Sequence, residues 1–374
     1  MTIRIGILGT ARIAPAAVIA PAQQLPQVEV VAIAARDAVR ARWFARRYAI
    51  PIVHNTYADL IHDPQVDLVY NPLPNHLHGR WTLAALHAGK HVLCEKPLAA
   101  NAAEAQAIVA AAQTANRLVM EAFHYRYHPV FLRVLELLAA GEIGPLQRLE
   151  AHFCVPLLRL GDIRYRYDLA GGATMDMGSY TVHMLRTLAG TEPQVIHARA
   201  RRLWTGLGEQ VRGIDRRMEA DLLFPRGGAH HTATTGATRE TSIAAHMSVS
   251  MLSSTPFRVL LLAQGATGEL RLLNPILPHR FHRLRVRTGT TWRTEKYPGA
   301  QFTGDTTYTW QMRALVHALE TGTPPPTDAR DGLANMRVID AIYRQAGLPL
   351  RMPAPTGTPE SHLPQTHAGQ GTRP

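Results

Sequence analysis

The stretch IRIGILGTARIA, residues 3–14, indicates how the first part of the chain folds. Its apolar run Ile3–Leu8 predicts a strand, and a helix is predicted to follow it through Ala22. Gly6 and Gly9 stand near the predicted turn, where a residue without a side chain lets the backbone approach a phosphate group. Amide groups at the start of the helix can bind that phosphate. The stretch therefore predicts a dinucleotide-binding βα unit, although a tight turn packed against a sheet fits the same residues.

The chain continues to alternate short apolar runs with helical patterns up to about Phe123. Strands are predicted at 28–34 and 66–72, and helices at 76–88 and 102–115. Strands separated by helices of this length form βαβ units with parallel pairing. Right-handed crossovers then give a doubly wound sheet, whose ligand crevice lies at the C-terminal ends of its strands. We predict an NAD(P)-binding Rossmann domain over residues 1–123.

The pattern changes in the second part of the chain. After a helix within 128–144, strand-like segments follow one another with few helices between them. Such a succession predicts an open, mainly antiparallel sheet in an α+β domain, which we assign to substrate binding and oligomerisation over residues 124–348. Residues 349–374 are rich in Pro, Thr and Gly and poor in apolar residues, so a disordered tail is predicted there.

The composition is that of an ordinary globular protein, with 46% hydrophobic and 18% charged residues. The two cysteines, Cys94 and Cys154, form neither a disulfide framework nor a metal-ligand spacing, which points to a reducing compartment and no metal. The first residues lack the pattern of a secretion signal, and no apolar stretch has the length of a membrane span. We predict a cytoplasmic protein with no membrane partner.

The net charge of +12 raises the question of nucleic-acid binding. The arginines are scattered over predicted helices and strands, however, and no zinc-finger or RNA-binding signature accompanies them. A positive field that attracts phosphorylated cofactors or acidic substrates explains the charge equally well, as does a bias towards arginine. We therefore predict no nucleic-acid partner.

The end of the second predicted strand bears on the choice of cofactor. An acid at this position binds the ribose diol of NAD, whereas an arginine can accept the 2′-phosphate of NADP. Arg36, preceded by the small Ala35, favours NADP, and Asp37 is interpreted as the cap of the next helix. NAD remains possible, because a shift of the strand end by one residue would exchange the two roles.

The stretch NPLPNHLHGRWTLAALHAGKHVLCEKPL, residues 71–98, identifies a family. It combines Pro72, Pro74, Asn75 and His78, in a loop like the P-x-N-x-x-H type of the family, with the sequence G-K-H-V-x-x-E-K-P. With the glycine-rich first turn it resembles the Gfo/Idh/MocA oxidoreductases. This family includes glucose–fructose oxidoreductase, inositol dehydrogenase and dihydrodiol dehydrogenase, and the resemblance covers nearly the whole chain except the tail. The resemblance implies these cofactor-binding residues: Gly6, Gly9, Thr10, Ala11, Arg12, Ile13, Ala35, Arg36, Pro72, Leu73, Pro74, Asn75, His78, Glu95 and Lys96.

Lys96 is one of only three lysines in a chain rich in arginine. A lysine offers a compact ammonium with three rotatable donors, which arginine does not. The resemblance implies that Lys96 lies beside the nicotinamide and holds the substrate hydroxyl that loses hydride. It also implies a cis peptide bond before Pro97.

A second motif, DIRYRYDLAGGATMDMGSYTVHMLR, covers residues 162–186. In a helix starting near Met175, Asp176, Tyr180 and His183 share one face. A helix cap and core packing would also use these residue types. The family pattern GG-x-x-x-D-x-G-x-Y/H, however, implies that Tyr180 is the general acid/base, its pKa lowered towards the working pH. Asp176 would then orient the substrate or the Lys96 ammonium.

Further residues are predicted to line the substrate pocket. The segment EAFHYRYHP, residues 121–129, supplies Tyr125, Arg126 and His128, for which an aromatic cluster linking two domains is the alternative. By analogy with the family, Arg164 is a candidate for contact with the substrate or with a cofactor phosphate. For His183, contact with the substrate and packing in the core are both consistent with the sequence. The predicted substrate-binding residues are Lys96, Arg126, Arg164, Asp176, Tyr180 and His183.

Together, these motifs predict an NADP-dependent oxidoreductase. It would transfer a hydride between the nicotinamide and a hydroxyl or carbonyl carbon of a sugar, polyol or diol, and the family implies a homodimer or homotetramer. Two alternatives remain: a non-catalytic dinucleotide-binding regulator, and an aldose–aldose oxidoreductase that retains its NADP.

Overall fold

The computed structural model describes residues 2–159, 161–203, 213–226, 242–254, 256–295 and 305–355. Within these residues the first part of the chain forms a six-stranded sheet, in the order β3-β2-β1-β4-β5-β6, with every neighbouring pair parallel. The doubly wound fold predicted for this part is confirmed. Its strands are β1 (Ile3–Leu8), β2 (Val28–Ala34), β3 (Ile52–His54), β4 (Leu68–Asn71), β5 (His91–Cys94) and β6 (Val119–Glu121).

Helices connect these strands. They are α1 (Ala20–Gln24), which follows a π-helical turn at Pro15–Ile19, then α2 (Ala38–Tyr48), α3 (Tyr57–His62), α4 (His78–His87) and α5 (Ala102–Ala115). Asp37 caps α2, as predicted, because its carboxylate accepts hydrogen bonds from the amides of Val39 and Arg40. The short β3 and α3 were not predicted, since three strand residues and six helix residues are too few for a clear period.

The second part of the chain forms an eight-stranded sheet in the order β14-β13-β12-β11-β7-β10-β9-β8. Only β7 and β10 pair in parallel among the described strands of this sheet, so the predicted mainly antiparallel sheet is confirmed. The strands are β7 (Leu146–Cys154), β8 (Gln194–Arg202), β9 (Asp215–Phe224), β10 (Ile243–Ser250), β11 (Arg258–Gly265), β12 (Gly268–Leu273), β13 (Arg283–Thr288) and β14 (Thr291–Thr294).

Helices of the second part pack against both sheets. They are α6 (Pro129–Ala139), α7 (Ser179–Ala189), α8 (Thr307–Thr321) and α9 (Ala329–Gln345). Helix α7 covers β7 and β10, α9 lies between β8 and α5, and α8 packs against α1. These contacts fix the start of α7 close to the C-terminal edge of the first sheet. Within the described parts of the chain, no helix has both the length and the apolar character needed to cross a bilayer.

The segment after α9 differs from the predicted disordered tail. The side chain of Arg351 is fully buried, where it donates to the carboxylate of Asp215 at 2.6 Å and to the carbonyl of Gly171 at 2.6 Å. Its guanidinium also lies 4.4 Å from the ring centre of Tyr343. Composition does not reveal this ion pair, and it makes residues 349–355 part of the fold. Residues 356–374 lie outside the described residues.

Candidate active site

A cleft of about 1200 Å³ opens where the C-terminal ends of β1, β2, β4 and β5 face the start of α7. Parallel sheets commonly bind their ligands at this edge. On the side of the first sheet the cleft is lined by Gly9, Thr10, Ala11, Arg12, Ile13, Ala35, Arg36, Asp37, Arg40, Tyr57, Pro72, Leu73, Pro74, Asn75, His78, Glu95 and Lys96. This set contains every residue predicted to bind the cofactor except Gly6.

The turn after β1 has the shape that a dinucleotide requires. Gly9 adopts a positive φ of 81°, which favours glycine, and a Cβ atom there would lie only 3.1 Å from Leu73 Cδ2. Gly6 lies within β1 and does not line the cleft; a Cβ atom there would lie 2.7 Å from Leu60 Cδ2. Gly6 thus allows close packing in the sheet, whereas Gly9 allows the turn its positive φ and close contact with Leu73.

The end of β2 brings two arginines to the cleft. Arg36 follows the small Ala35, as predicted, and Arg40 lies in the first turn of α2, which starts at Ala38. Arg40 was not among the predicted residues, although its place shortly after the predicted end of β2 was a signal for it. Because the Asp37 carboxylate caps α2, the charge on this side of the cleft is mainly positive.

His78 ties two loops of the cleft together. Its Nε2 lies 2.6 Å from the carbonyl oxygen of Leu73 and its Nδ1 lies 2.7 Å from that of Pro97. The peptide bond between Lys96 and Pro97 is cis, as the family resemblance implied. Glu95 accepts a hydrogen bond from the hydroxyl of Tyr70 at 2.8 Å. These contacts position the loop that carries Lys96.

The ammonium of Lys96 is held by Asp176. Its Nζ donates to Asp176 Oδ1 at 2.7 Å and to the carbonyl oxygen of Asp176 at 2.9 Å. Arg164 donates from Nε to the other carboxylate oxygen, Oδ2, at 2.7 Å. Burial alone would raise the pKa of Asp176, but the guanidinium of Arg164 and the ammonium of Lys96 outweigh it and hold the pKa well below its usual value. Asp176 is therefore an ionised carboxylate between two cations.

Tyr180 lies one helical turn after Asp176 and faces the same end of the cleft. Lys96 Nζ is 4.8 Å from the centre of its ring, and its hydroxyl is 3.2 Å from His124 Nε2. Burial raises the pKa of Tyr180 well above its usual value, and the nearby Tyr308 and Glu95 raise it further. The expectation of a lowered pKa is thus wrong for the cleft without ligands, because the ammonium lies over the ring face. Tyr180 keeps its proton.

Two predicted substrate contacts lie away from the cleft. His183 is buried, with its ring stacked on Phe123 at 4.1 Å and its Nε2 3.0 Å from Asp331 Oδ2. Arg126 lies with its guanidinium 5.8 Å from the ring centre of Phe131 and does not line the cleft. His183 therefore packs in the core, which is the alternative given for it above. Arg126 belongs to the aromatic cluster that was the alternative for its segment.

The far wall of the cleft contains residues that were not among the predicted site residues. Some of them lie inside the motifs at residues 121–129 and 162–186 but were given no role there. The others are distant in the sequence and meet these motifs only in the folded chain, so local patterns carried no signal for them. The residues not predicted are His124, Phe153, Arg159, Gly161, Asp162, Ile163, Leu169, Gly171, Gly172, Ile276, Leu277 and Tyr308. This wall is more apolar than the first-sheet side, as Phe153, Ile276 and Leu277 illustrate.

Two curated relatives match almost the entire chain. The D-xylose 1-dehydrogenase (NADP(+)) 2 of Haloferax volcanii is 36% identical over 345 residues, which cover 91% of this chain and 96% of the relative. The dTDP-3,4-didehydro-2,6-dideoxy-alpha-D-glucose 3-reductase of Actinomadura kijaniata is 31% identical over 341 residues, covering 91% of this chain and 94% of the relative.

A solved structure and two family models agree with these relatives. The crystal structure of a 3-ketoreductase from Actinomadura kijaniata in complex with NADP and TDP-benzene superposes with a TM-score of 0.78 at 28% identity, covering 92% of this chain and 98% of that one. The model of the oxidoreductase family with an NAD-binding Rossmann fold matches residues 3–123, and that of the GFO/IDH/MocA C-terminal domain matches residues 131–271. The chain therefore belongs to the GFO/IDH/MocA family of oxidoreductases.

Proposed function

We propose that this protein is an NADP-dependent dehydrogenase or reductase that acts on a hydroxyl or carbonyl carbon of a sugar, polyol or diol. The observation that carries the proposal is the meeting of Lys96, Asp176 and Tyr180 at one end of a cleft that opens at the edge of a Rossmann sheet. An ammonium beside a protonated phenol suits a substrate oxygen that gains or loses a proton.

The residues of the cleft fit a nicotinamide dinucleotide. The open turn at Gly9 leaves room for the pyrophosphate, and Arg36 and Arg40 can bind the 2′-phosphate that distinguishes NADP from NAD. When bound, the cofactor supplies or accepts the hydride. Two similar proteins support the choice of NADP: the D-xylose 1-dehydrogenase (NADP(+)) 2 and the 3-ketoreductase whose crystal structure contains NADP.

The side chains of this protein account for the remaining chemistry. Lys96 uses two of its three hydrogens on Asp176, so the third is available for the substrate oxygen. In reduction, the Tyr180 hydroxyl donates its proton to the carbonyl oxygen. In oxidation, Tyr180 first releases its own proton to solvent, and the phenolate then accepts the proton of the alcohol. In this proposal Lys96 and Tyr180 are the catalytic groups. Asp176 holds the Lys96 ammonium in position by hydrogen bonds, and its negative charge offsets the charge of the ammonium.

The proposal is tested with purified protein, NADP or NAD, and a panel of aldoses, inositols and vicinal diols, by following the absorbance of reduced nicotinamide. Turnover of one substrate class by the wild type, lost in Lys96→Met and in Tyr180→Phe, is expected. Binding of neither dinucleotide would overturn the proposal. Tight NADP binding without net turnover would favour the non-catalytic dinucleotide-binding regulator. If adding a second sugar then produced turnover, the aldose–aldose oxidoreductase that retains its NADP would be favoured instead.

We also propose that the protein forms a homodimer or homotetramer through the second sheet. The face of β12 and β13 opposite the core carries Arg271, Arg285 and Arg287, whose guanidiniums lie 4.7–5.8 Å from the ring centre of Trp292. An ordered surface of this kind suits a second copy of the chain. Light scattering of the purified protein measures the oligomeric state, and a monomer at micromolar concentration would contradict the proposal. The cytoplasmic location stays a prediction.

A further inference from the structure

His124 lies directly behind the hydroxyl of Tyr180. It begins the 3-10 turn His124–Tyr127 after β6, and only 3% of its surface is exposed. Its Nε2 is 3.2 Å from Tyr180 Oη, and its ring centre is 4.3 Å from that of Tyr308. It lies inside the segment of residues 121–129 but was not among the predicted substrate-binding residues, and it lines the same end of the cleft as Lys96 and Tyr180.

The imidazole of His124 is neutral. Burial lowers its pKa to about 3, and the neighbouring His279, Lys96 and His128 act in the same direction, since each opposes a further positive charge. These three residues, together with Tyr180 and Tyr308, are the titratable groups that face it from the surrounding elements. A neutral imidazole carries one hydrogen, on either Nδ1 or Nε2.

The surroundings of the two ring nitrogens favour the Nε2–H tautomer. Within the described parts of the chain, His124 Nδ1 is buried and has no hydrogen-bond partner. A buried N–H group without an acceptor is rarer in proteins than an acceptor without a donor. With the hydrogen on Nε2, His124 donates to Tyr180 Oη, and the hydroxyl hydrogen of Tyr180 is free to point into the cleft.

We infer that His124 is a positioning residue for Tyr180, donating from Nε2 to the phenol oxygen so that the phenol directs its own hydrogen to the substrate oxygen. In reduction the O–H bond of Tyr180 breaks and the proton bonds to the substrate oxygen, whose carbon receives the hydride that the cofactor supplies. The negative charge left on Oη is then stabilised by the His124 N–H. The inference rests on the proposed function, which gives Tyr180 the proton.

A hydrogen bond to an ionised oxygen is stronger than one to a neutral oxygen, so His124 stabilises the phenolate more than the phenol. Removing the donor raises the pKa at which Tyr180 titrates during turnover. The alkaline rise of kcat in the oxidation direction therefore moves to higher pH. The solvent deuterium isotope effect on kcat increases as well, because proton transfer becomes slower.

The experiment compares His124→Phe, which keeps a ring without a donor, with His124→Gln, whose amide nitrogen reaches close to the position of Nε2. We expect His124→Phe to lower kcat in oxidation at neutral pH by roughly tenfold to a hundredfold, and to shift the alkaline rise up by about one pH unit or more. The KM of the substrate should change little, and His124→Gln should restore most of the loss. His279→Gln, which removes a neighbouring imidazole outside the cleft, serves as the matched control.

An unchanged pH profile and isotope effect in His124→Phe would overturn the inference, as would an equal shift in His279→Gln. If His124→Phe does not fold, His124→Asn replaces it, because its shorter amide does not reach Oη. Failure of the proposed function is distinguishable from these results. In that case the wild type shows no turnover, or Tyr180→Phe keeps full activity whatever residue stands at position 124.

Discussion

Lys96 donates hydrogen bonds to both the carboxylate and the main-chain carbonyl of Asp176, at 2.7 and 2.9 Å. One residue follows a strand of the first sheet, and the other lies on the turn that precedes α7. The two contacts therefore join the two parts of the chain within the cleft. Because Lys96 Nζ donates to two oxygens of Asp176, the position of its ammonium is fixed before a substrate binds. Such preorganisation favours electrostatic catalysis.

Lys96→Met should lower activity far more than it weakens the binding of NADP. In the proposed mechanism the variant loses the ammonium that binds the reacting oxygen, and the loss of such a donor typically costs roughly a hundredfold to a thousandfold in kcat. Lys90→Met is the matched control, because Lys90 donates to the carbonyls of Asp63 and Val66, away from the cleft. Steady-state kinetics and fluorescence titration with NADP measure the two effects. Comparable losses of kcat in both variants would contradict this role of Lys96.

Asp176→Asn should destabilise the protein in a pH-dependent way. The free energy of unfolding should fall by roughly 2 kcal/mol at neutral pH, less than for a fully buried pair because Arg164 is partly exposed. The pKa of Asp176 is lowered in the folded state, so its contribution is present above the unfolded pKa and is lost as pH falls towards the folded value. The difference in Tm between wild type and variant should be constant from about pH 5 to 8 and shrink below about pH 4. A Tm difference that instead grows as the pH falls would contradict the lowered pKa of Asp176.

Arg36→Ala should weaken the binding of NADP much more than that of NAD. Loss of one charge-assisted contact to the 2′-phosphate should raise the Kd of NADP by roughly tenfold to a hundredfold. Arg42→Ala, on the helix α2 that follows Arg36, is the control, since Arg42 does not line the cleft. Isothermal titration with both dinucleotides tests the prediction, and equal losses for NADP and NAD would rule out a contact with the 2′-phosphate.

Glu121→Gln should become more stable than the wild type as pH rises. Glu121 is buried beneath the Lys96 loop, where its Oε1 accepts a hydrogen bond from the amide of Leu98. Burial, with Asp331 acting in the same direction, raises its pKa to about 8, so the folded state holds a proton that the unfolded state has released. Wild-type stability therefore falls from the ordinary pKa of glutamate up to about pH 8, and the glutamine variant avoids this loss.

Thermal unfolding of wild type and Glu121→Gln over this range measures the effect. The exposed Glu136→Gln provides the comparison for a glutamate at the surface. The Tm difference between wild type and Glu121→Gln should widen with pH and level off above about pH 8. A difference that stays flat would mean that Glu121 is ionised throughout.

Arg351→Met should lower the free energy of unfolding by about 3–5 kcal/mol, because it leaves the carboxylate of Asp215 buried without its cation. Replacing both partners, Arg351→Met with Asp215→Leu, should recover part of the loss. Chemical denaturation measures both values. If the double variant were no more stable than Arg351→Met, the unpaired carboxylate would not be the source of the loss.

The sequence predicted the fold well where elements are long and regular. Strand β2 and helix α5 have the predicted bounds, since each has a clear period and a clear end signal. The side of the cleft formed by the first sheet was predicted because its residues lie in compact motifs. On the opposite wall, Arg164, Asp176 and Tyr180 were predicted from one motif, whereas Ile276 and Tyr308 were not, because they lie far from it in the sequence and meet it only in the folded chain.

His183 shows a second limit of sequence patterns. Its spacing from Asp176 assumes one continuous α-helix, whereas Thr174–Gly178 forms a π-helical turn before α7. A π turn contains more residues than an α turn and shifts the faces on either side of it. A helical wheel drawn across that turn therefore assigns His183 to the face of Asp176, although its ring packs on Phe123.

The ion pair between Arg351 and Asp215 also has a consequence for synthesis. Asp215 holds the start of the Asp176 turn through the amide and hydroxyl of Thr174, at 2.7 and 2.6 Å, and Arg351 holds the Gly171 carbonyl just before it. Arg351 is added to the growing chain after Gly171 and Asp215, the two residues that it holds in place. A nascent chain that already contains Lys96 and Tyr180 thus lacks the cation that completes their support, and catalytic competence arises late in translation, after the second sheet has been made.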